Sequence, residues 1–331
     1  MRQPSRKCQY GYRMGLCSRR NLHQNHGWRG RCYQTRKIVI SNLESHSSEW
    51  VPSRIHSVGI GLRMPHMEEV LLQRPAVPWF EILADNHIAQ GGIIPRQLDL
   101  IRCNYPITLH SVGMSIAGAD PLDFNYLKSL RQLYQNFEAA WISDHLCFSQ
   151  HHQHQFHDLL PFPYTEESLQ HVSQRVQQIQ DYFAAPLLIE NVSSYLSFNQ
   201  SSLSEAEFIA HLCDKTGCKV LLDVNNIYVN EFNNGAPSDE WLSAFKRQSI
   251  GEIHLAGYED KGEYLLDAHN NLVADEVWDL YQSVVKTYGD IPTLIEWDND
   301  IPEFTTLQSE ADKAESIRSK YCGEAKRYVS N

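Results

Sequence analysis

The sequence predicts a (β/α)₈ barrel from three observations. Eight short apolar runs are spaced through its body, helix-forming segments separate them, and nearly every run ends in a residue able to bind a metal ion. The runs are Gly59–Leu62, Trp79–Leu83, Ile107–His110, Ala140–Ser143, Leu187–Glu190, Val220–Asp223, Glu252–Leu255 and Thr293–Glu296. Near-continuous apolar strands separated by helices imply parallel strands buried on both faces. A doubly wound sheet is the alternative, though it usually has fewer strands.

The helix signals are local. Thr165 precedes Glu166-Glu167 and a periodic run through Leu169, Val172, Val176 and Ile179. Ser204 with Glu207 three residues on is a capping box, and Gly217 is placed to end that helix. Ser238 before Asp239-Glu240-Trp241 reads as a further N-cap.

Of 331 residues, 42% are hydrophobic and 21% charged, a globular balance. No apolar run approaches the roughly 20 residues of a membrane span. The net charge of −11 hides an asymmetry. Ten of the 29 Lys/Arg lie in residues 1–43, which contain no acid, so the remainder carries 19 basic against 40 acidic residues. That acidic body argues against a nucleic-acid surface.

Residues 1–50 show no periodicity and no apolar signal core. They read as a disordered basic leader or as translation assigned too far upstream, with a transit peptide as a further possibility. The folded domain is expected over 51–331. None of the eight cysteines forms a C-x-x-C pair, so they read as reduced thiols of a cytoplasmic protein.

Parallel barrel strands bring their C-terminal ends to one mouth. The expected ligands there are His66, His110, Glu190, Asp223, His254, Asp267, His269 and Glu296, with Asn191 beside them. Asp144, His145 and Arg63 are expected to take catalytic roles, His145 handling a proton, and Asp298, Asn225 and Asn226 to orient ligands. Carboxylates packed this densely must be protonated, paired or bound to cations, and few basic side chains stand near them. Mixed His and carboxylate donors suit iron, manganese or zinc better than magnesium or calcium. Of the tract His151-His152-Gln153-His154, the histidines read as an exposed loop, with His157 lining the mouth. Phosphate-loop, dinucleotide and serine-nucleophile motifs are absent.

Several segments together resemble a known family. They are Gly59–His66, Leu109–Ser115, Ser143–Leu146, His157–Tyr164, Ile189–Tyr195, Gly217–Asn226, Ile253–Gly257, Asp267–His269 and Leu294–Asp298. The family is the one once called UPF0276 or domain of unknown function 692, the multinuclear non-haem iron-dependent oxidative enzymes. The resemblance implies a TIM barrel holding two or three irons of mixed Fe(II)/Fe(III) state. It also implies dioxygen-dependent oxidation of cysteines in a ribosomally made precursor peptide, often with a small peptide-recruiting partner protein. No nucleic acid or membrane is implied.

Two departures stand out. Asp85-Asn86 replaces the usual Glu-Asn, and Ser111 replaces a glycine, where its side chain is expected to narrow the substrate channel. On the residues alone, a divalent-metal sugar isomerase or epimerase, a metal-dependent hydrolase and a non-catalytic metal-binding scaffold stay open, because a fold does not fix a function.

Overall fold

A computed structural model describes residues 55–88, 94–152 and 154–328. The basic leader expected over residues 1–50 lies outside them. Eight parallel strands close into a barrel: β1 (Val58–Gly61), β2 (Phe80–Leu83), β3 (Ile107–His110), β4 (Ile142–His145), β5 (Leu187–Glu190), β6 (Lys219–Asp223), β7 (Ile250–Leu255) and β8 (Thr293–Ile295). Each pairs with its neighbours in chain order, and β8 closes on β1. The fold is therefore the (β/α)₈ barrel that the sequence predicts.

The helices are α1 (Met67–Gln73), α2 (Ile94–Arg102), α3 (Phe124–Asn136), α4 (Glu166–Phe183), α5 (Glu205–Thr216), α6 (Val224–Asn234), α7 (Asp239–Ser243), α8 (Asp275–Tyr288) and α9 (Phe304–Tyr328). Their ends follow local chemistry. At α4 the Ser168 N–H donates to Thr165 Oγ1 at 3.1 Å, and the Thr165 N–H donates to Ser168 Oγ at 2.9 Å. At α5 the Glu207 N–H donates to Ser204 Oγ at 3.2 Å, and Glu207 Oε2 accepts from the Ser204 N–H at 2.9 Å. Gly217 ends α5 at φ 74°, the left-handed conformation glycine adopts without penalty.

The expectation at Ser238 holds in position only. Ser238 is the residue before α7, but its backbone is helical and its side chain caps no N–H; its hydroxyl donates to Glu231 Oε1 at 3.1 Å.

The barrel interior is packed. Trp79 and Trp141 meet edge to face with centroids 5.9 Å apart, and both are fully buried. The Trp79 indole lies so close to β1 that a Cβ on Gly59 would fall 2.4 Å from its ring.

A β-hairpin, Phe148–His151 with His154–Leu160, follows β4 directly. The histidine tract that reads as a loop forms this hairpin; His151, His152 and His154 are exposed on it as expected. Among the described residues, no helix is long and apolar enough to cross a membrane.

Candidate metal centre

Register delivers the donors to one end of the barrel. His110 ends β3 opposite Ser143, His145 ends β4 opposite Glu190 on β5, and Asp223 ends β6 opposite His254 on β7. Glu296 follows β8 at once, and His269 arrives from the loop after β7. His269 holds φ 45°, in the left-handed region that few non-glycine residues occupy, and such strained backbone concentrates at functional sites.

These side chains form linked groups. In the first, His110 Nε2 and His145 Nε2 lie 3.2 and 3.3 Å from Glu190 Oε2, and 3.3 Å from each other. The second brings Glu190, Asp223, His254 and Glu296 together, with one ligand atom from each within 4.8 Å of the others. The third joins His269, Glu296 and Asp298: His269 Nδ1 is 3.4 Å from Glu296 Oε2 and 3.2 Å from Asp298 Oδ2. Glu190 links the first two groups, and Glu296 links the second and third.

The proton inventory suits cation binding. Burial holds His110 well below the ordinary histidine value, the neighbouring His145 adding to the effect, and burial takes His145 down to about 4. Both rings are therefore neutral at pH 7 and offer lone pairs. Ser143 Oγ has one proton and an acceptor in the Leu109 carbonyl at 3.3 Å. With that proton directed to the carbonyl, Ser143 Oγ accepts from His110 Nδ1 at 2.8 Å, the tautomer in which Nε2 keeps its lone pair toward Glu190.

Burial pushes Glu190 well above the carboxylate range and Asp223 up to about 7. For Glu296 burial and Asp298 act upward, but His254 and His269 overcome them and hold it at about 2. Burial would lower His254 and His269, yet the surrounding carboxylates raise both well above the ordinary value. Glu190 Oε2 and Asp223 Oδ2 are buried without a hydrogen-bond partner. Orphaned carboxylate oxygens beside neutral imidazoles are what a cation would satisfy.

Arg63 is held as a counter-charge. Its Nη2 is 2.6 Å from Asp298 Oδ1 and 3.3 Å from Glu296 Oε1. A Cβ on Gly61 would lie 2.8 Å from the guanidinium, so the glycine leaves it room.

The structure redistributes several expected roles. His145 joins the ligand groups. His66 does not: its Nε2 lies 2.8 Å from the Pro302 carbonyl and its ring packs on Phe304. Asn191 spends both ends of its amide on Asp223, donating to the carbonyl and accepting from the N–H, each at 2.9 Å. Both polar ends of its amide are thereby engaged with the Asp223 backbone.

Asp144 accepts from the Met114 and His145 N–H groups and lies 2.8 Å from Ser111 Oγ, so it braces the β3 and β4 ends. Ser111 itself is fully buried in that contact and lines neither of the cavities described below. Asp267 lies 2.6 Å from His269 Nε2 and also accepts from Asn225 Nδ2 and Ser193 Oγ. Asn226 holds Asp223 Oδ1 through its backbone N–H at 2.7 Å.

Two carboxylates escaped the sequence reading. Glu81 and Glu252 lie inside the barrel within reach of His254. The available signal was a charged residue in the middle of an otherwise apolar strand.

A cavity of about 210 Å³ lies over the groups, bordered by His110, His145, Glu190, His269 and Glu296. It shares Val112, Leu159, Asp298 and Asn299 with an outer cavity of about 540 Å³, which also touches His157, Phe156 and Tyr126. Asp85 reinforces this wall, accepting from the Tyr126 hydroxyl at 2.8 Å and the Val112 N–H at 3.0 Å.

A sequence profile described as "RiPP precursor modification enzyme MbnB/TglH/ChrH" matches residues 57–319. The chain belongs to this family. Its relatives include a UPF0276 protein of Acaryochloris marina, 45% identical over 262 residues, which covers 79% of this chain and 95% of that one. Another, from Chromobacterium violaceum, is 44% identical over 260 residues, covering 78% and 94%.

Solved structures share the family's fold at much lower identity. A D-psicose 3-epimerase from Clostridium cellulolyticum aligns with TM-score 0.52 at 11% identity, covering 81% of this chain and 99% of its own. Endonuclease IV from Thermus thermophilus aligns with TM-score 0.51 at 16% identity, covering 78% and 99%. At such identity the likeness concerns the barrel alone. The family match makes this chain an enzyme that modifies precursors of ribosomally made peptides.

Proposed function

We propose that this enzyme oxidises cysteine residues of a ribosomally made precursor peptide, with dioxygen as electron acceptor and two or three iron ions as cofactor. The observation that carries the reading is the sharing of donors. Glu190 belongs to two groups and Glu296 to two, so neighbouring donor sets hold carboxylates in common, as a site for more than one cation would. The donor set, mixed imidazole and carboxylate, fits iron.

His110, His145, Glu190, Asp223, His254, His269 and Glu296 would hold the ions, with Asp267 at the rim. Bound iron would supply redox chemistry toward dioxygen and acidify a coordinated thiol. The chain's own residues do the rest. Arg63 balances Glu296 and Asp298 so that these carboxylates stay ionised beside one another. Asn191 and Asn226 fix Asp223, and Asp144 fixes the strand end carrying His145.

The inner cavity admits a side chain, while the outer one is wide enough for flanking peptide residues. Asp85, Asp123 and Asp158 around the outer cavity favour a peptide with some positive charge. A small recruiting protein that presents the peptide, and a cytoplasmic location, belong to the same proposal.

The test is anaerobic purification with metal analysis, then exposure to the precursor peptide and dioxygen with mass spectrometry of its cysteines. Two or three irons per chain and a mass change confined to cysteine residues are expected. Manganese or magnesium in the site with turnover of a ketose would overturn the proposal in favour of epimerase chemistry.

A further inference from the structure

Beneath the ligand groups, the barrel interior carries charge where it ordinarily carries layers of branched apolar side chains. Glu81 on β2 and Glu252 on β7 both face His254 Nε2, with Oε1 atoms at 3.2 and 3.7 Å. Each is tethered from behind. Thr108 Oγ1 donates to Glu81 Oε2 at 3.0 Å, and Trp141 Nε1 donates to Glu252 Oε2 at 2.6 Å. All five side chains are at most 1% exposed.

Two buried carboxylates are poor stabilisers of a fold, and apolar residues of the same volume usually serve as well or better. Their placement needs another explanation, and His254 supplies it. The two nitrogens of this ring face opposite ways. Nδ1 is hydrogen-bonded to Glu296 Oε2 at 2.9 Å and lies 4.0 Å from Glu190 Oε1, inside the ligand groups, while Nε2 lies on the side of the carboxylate pair, where it and the two Oε1 atoms have no hydrogen-bond partner. An imidazole can give a lone pair to a cation through Nδ1 only if its proton resides on Nε2.

We propose that Glu81 and Glu252 are positioning residues for the metal centre: they hold the His254 proton on Nε2 and thereby present Nδ1 to the ion. The inference rests on the metal-binding reading above and adds the floor of the barrel to it. Carboxylates behind a ligand histidine also raise its basicity, and their loss typically costs 10–100-fold in metal affinity. Thr108 and Trp141 hold the two carboxylates in place beneath the ring. Without the pair, Nε2–H would be buried with no acceptor. The proton would then move to Nδ1, where Glu296 accepts it and the lone pair is lost to the cation.

The test uses Co(II) as probe, in competition with a coloured chelator, on the full chain. Replacing both carboxylates by Met (Glu81→Met with Glu252→Met) keeps the volume and removes the acceptors. Replacing Glu81 by Gln instead, with Glu252→Met kept, retains one acceptor oxygen toward Nε2, because the Thr108 hydroxyl can accept from the amide nitrogen. We expect the Met variant to bind Co(II) at least tenfold more weakly and the Gln variant to recover most of that loss. ¹⁵N spectra of histidine-labelled, Zn(II)-loaded protein should show His254 keeping its proton on Nε2 in the wild type and losing that preference in the Met variant. If the double Met variant does not fold by circular dichroism, Glu81→Met alone carries the same comparison.

A role confined to packing would move the melting temperature but neither the tautomer nor the Met-against-Gln difference. Equal Co(II) affinity in the wild type and a folded Met variant overturns the positioning role alone. A wild type that takes up no Co(II) and no iron overturns the metal reading itself.

Discussion

At the scale of single residues, the ligand groups make separable predictions. His110 belongs to one group, whereas Glu296 touches two. His110→Ala should therefore remove about one ion per chain and Glu296→Ala more than one, each reducing peptide oxidation by on the order of 100-fold or more, as loss of about 3 kcal/mol of transition-state stabilisation does. Metal analysis of anaerobically purified variants decides it, and unchanged loading in both would remove the assignment. His66→Leu supplies the contrast. Its ring serves the Pro302 carbonyl, so iron content should stay at the wild-type value while the melting temperature falls.

The residues gathered at the mouth were legible because the period of a barrel strand places its last residue there. His66 falls outside the ligand groups because it stands five residues past the end of β1, behind a Pro, where sequence distance no longer fixes direction. Glu81 and Glu252 were illegible as partners. Nothing in either strand says that β2 and β7 face each other across the barrel.

At the scale of elements, local chemistry was easier to read than pairing. Thr165 and Ser204 announce their helices because a cap and its N3 partner are neighbours in sequence. Ser204→Ala should cost about 1 kcal/mol, read as a lower denaturation midpoint with unchanged slope. Ser238 shows the limit of such reading: it stands before α7, but its backbone is already helical and its hydroxyl turns to Glu231, seven residues upstream, so no helix N–H is capped.

The hairpin Phe148–His151/His154–Leu160 was missed because its strands are polar and exposed, and so lack an apolar alternation. It supplies Gln150, Phe156, His157 and Leu159 to the outer cavity but contributes no residue to the ligand groups. Replacing 149–156 by a short Gly-Ser turn should therefore leave iron content intact and raise KM for the peptide at least tenfold. Loss of metal in that variant would show that the hairpin supports the centre itself.

At the scale of the whole molecule, the cost of gathering so many carboxylates should appear as a pH dependence that metal reverses. Burial holds Asp223 up at about 7, and burial with the neighbouring Glu81 does the same for Glu252. Each folded carboxyl keeps a proton at pH 6 that the unfolded chain has released. The raised His254 and His269 act in the same sense, since their stabilisation is complete below the unfolded histidine value and is lost as pH rises through their folded values. His110 and His145 have the opposite sign, but their lowered values confine the effect to below about pH 6.5. Glu296, held at about 2, contributes stability that is lost only in strong acid.

Between about pH 6.5 and 8 the folded, metal-free protein therefore binds more protons than the unfolded chain, and its stability must fall as pH rises. Bound cations replace those protons, so loading should raise the melting temperature most at pH 8 and least at pH 6. Scanning calorimetry of chelator-treated and Co(II)-loaded protein across this range measures both slopes. A metal-free melting temperature that rises with pH would mean that the carboxylates are already ionised in the folded state, and that something other than an absent cation neutralises the mouth of the barrel.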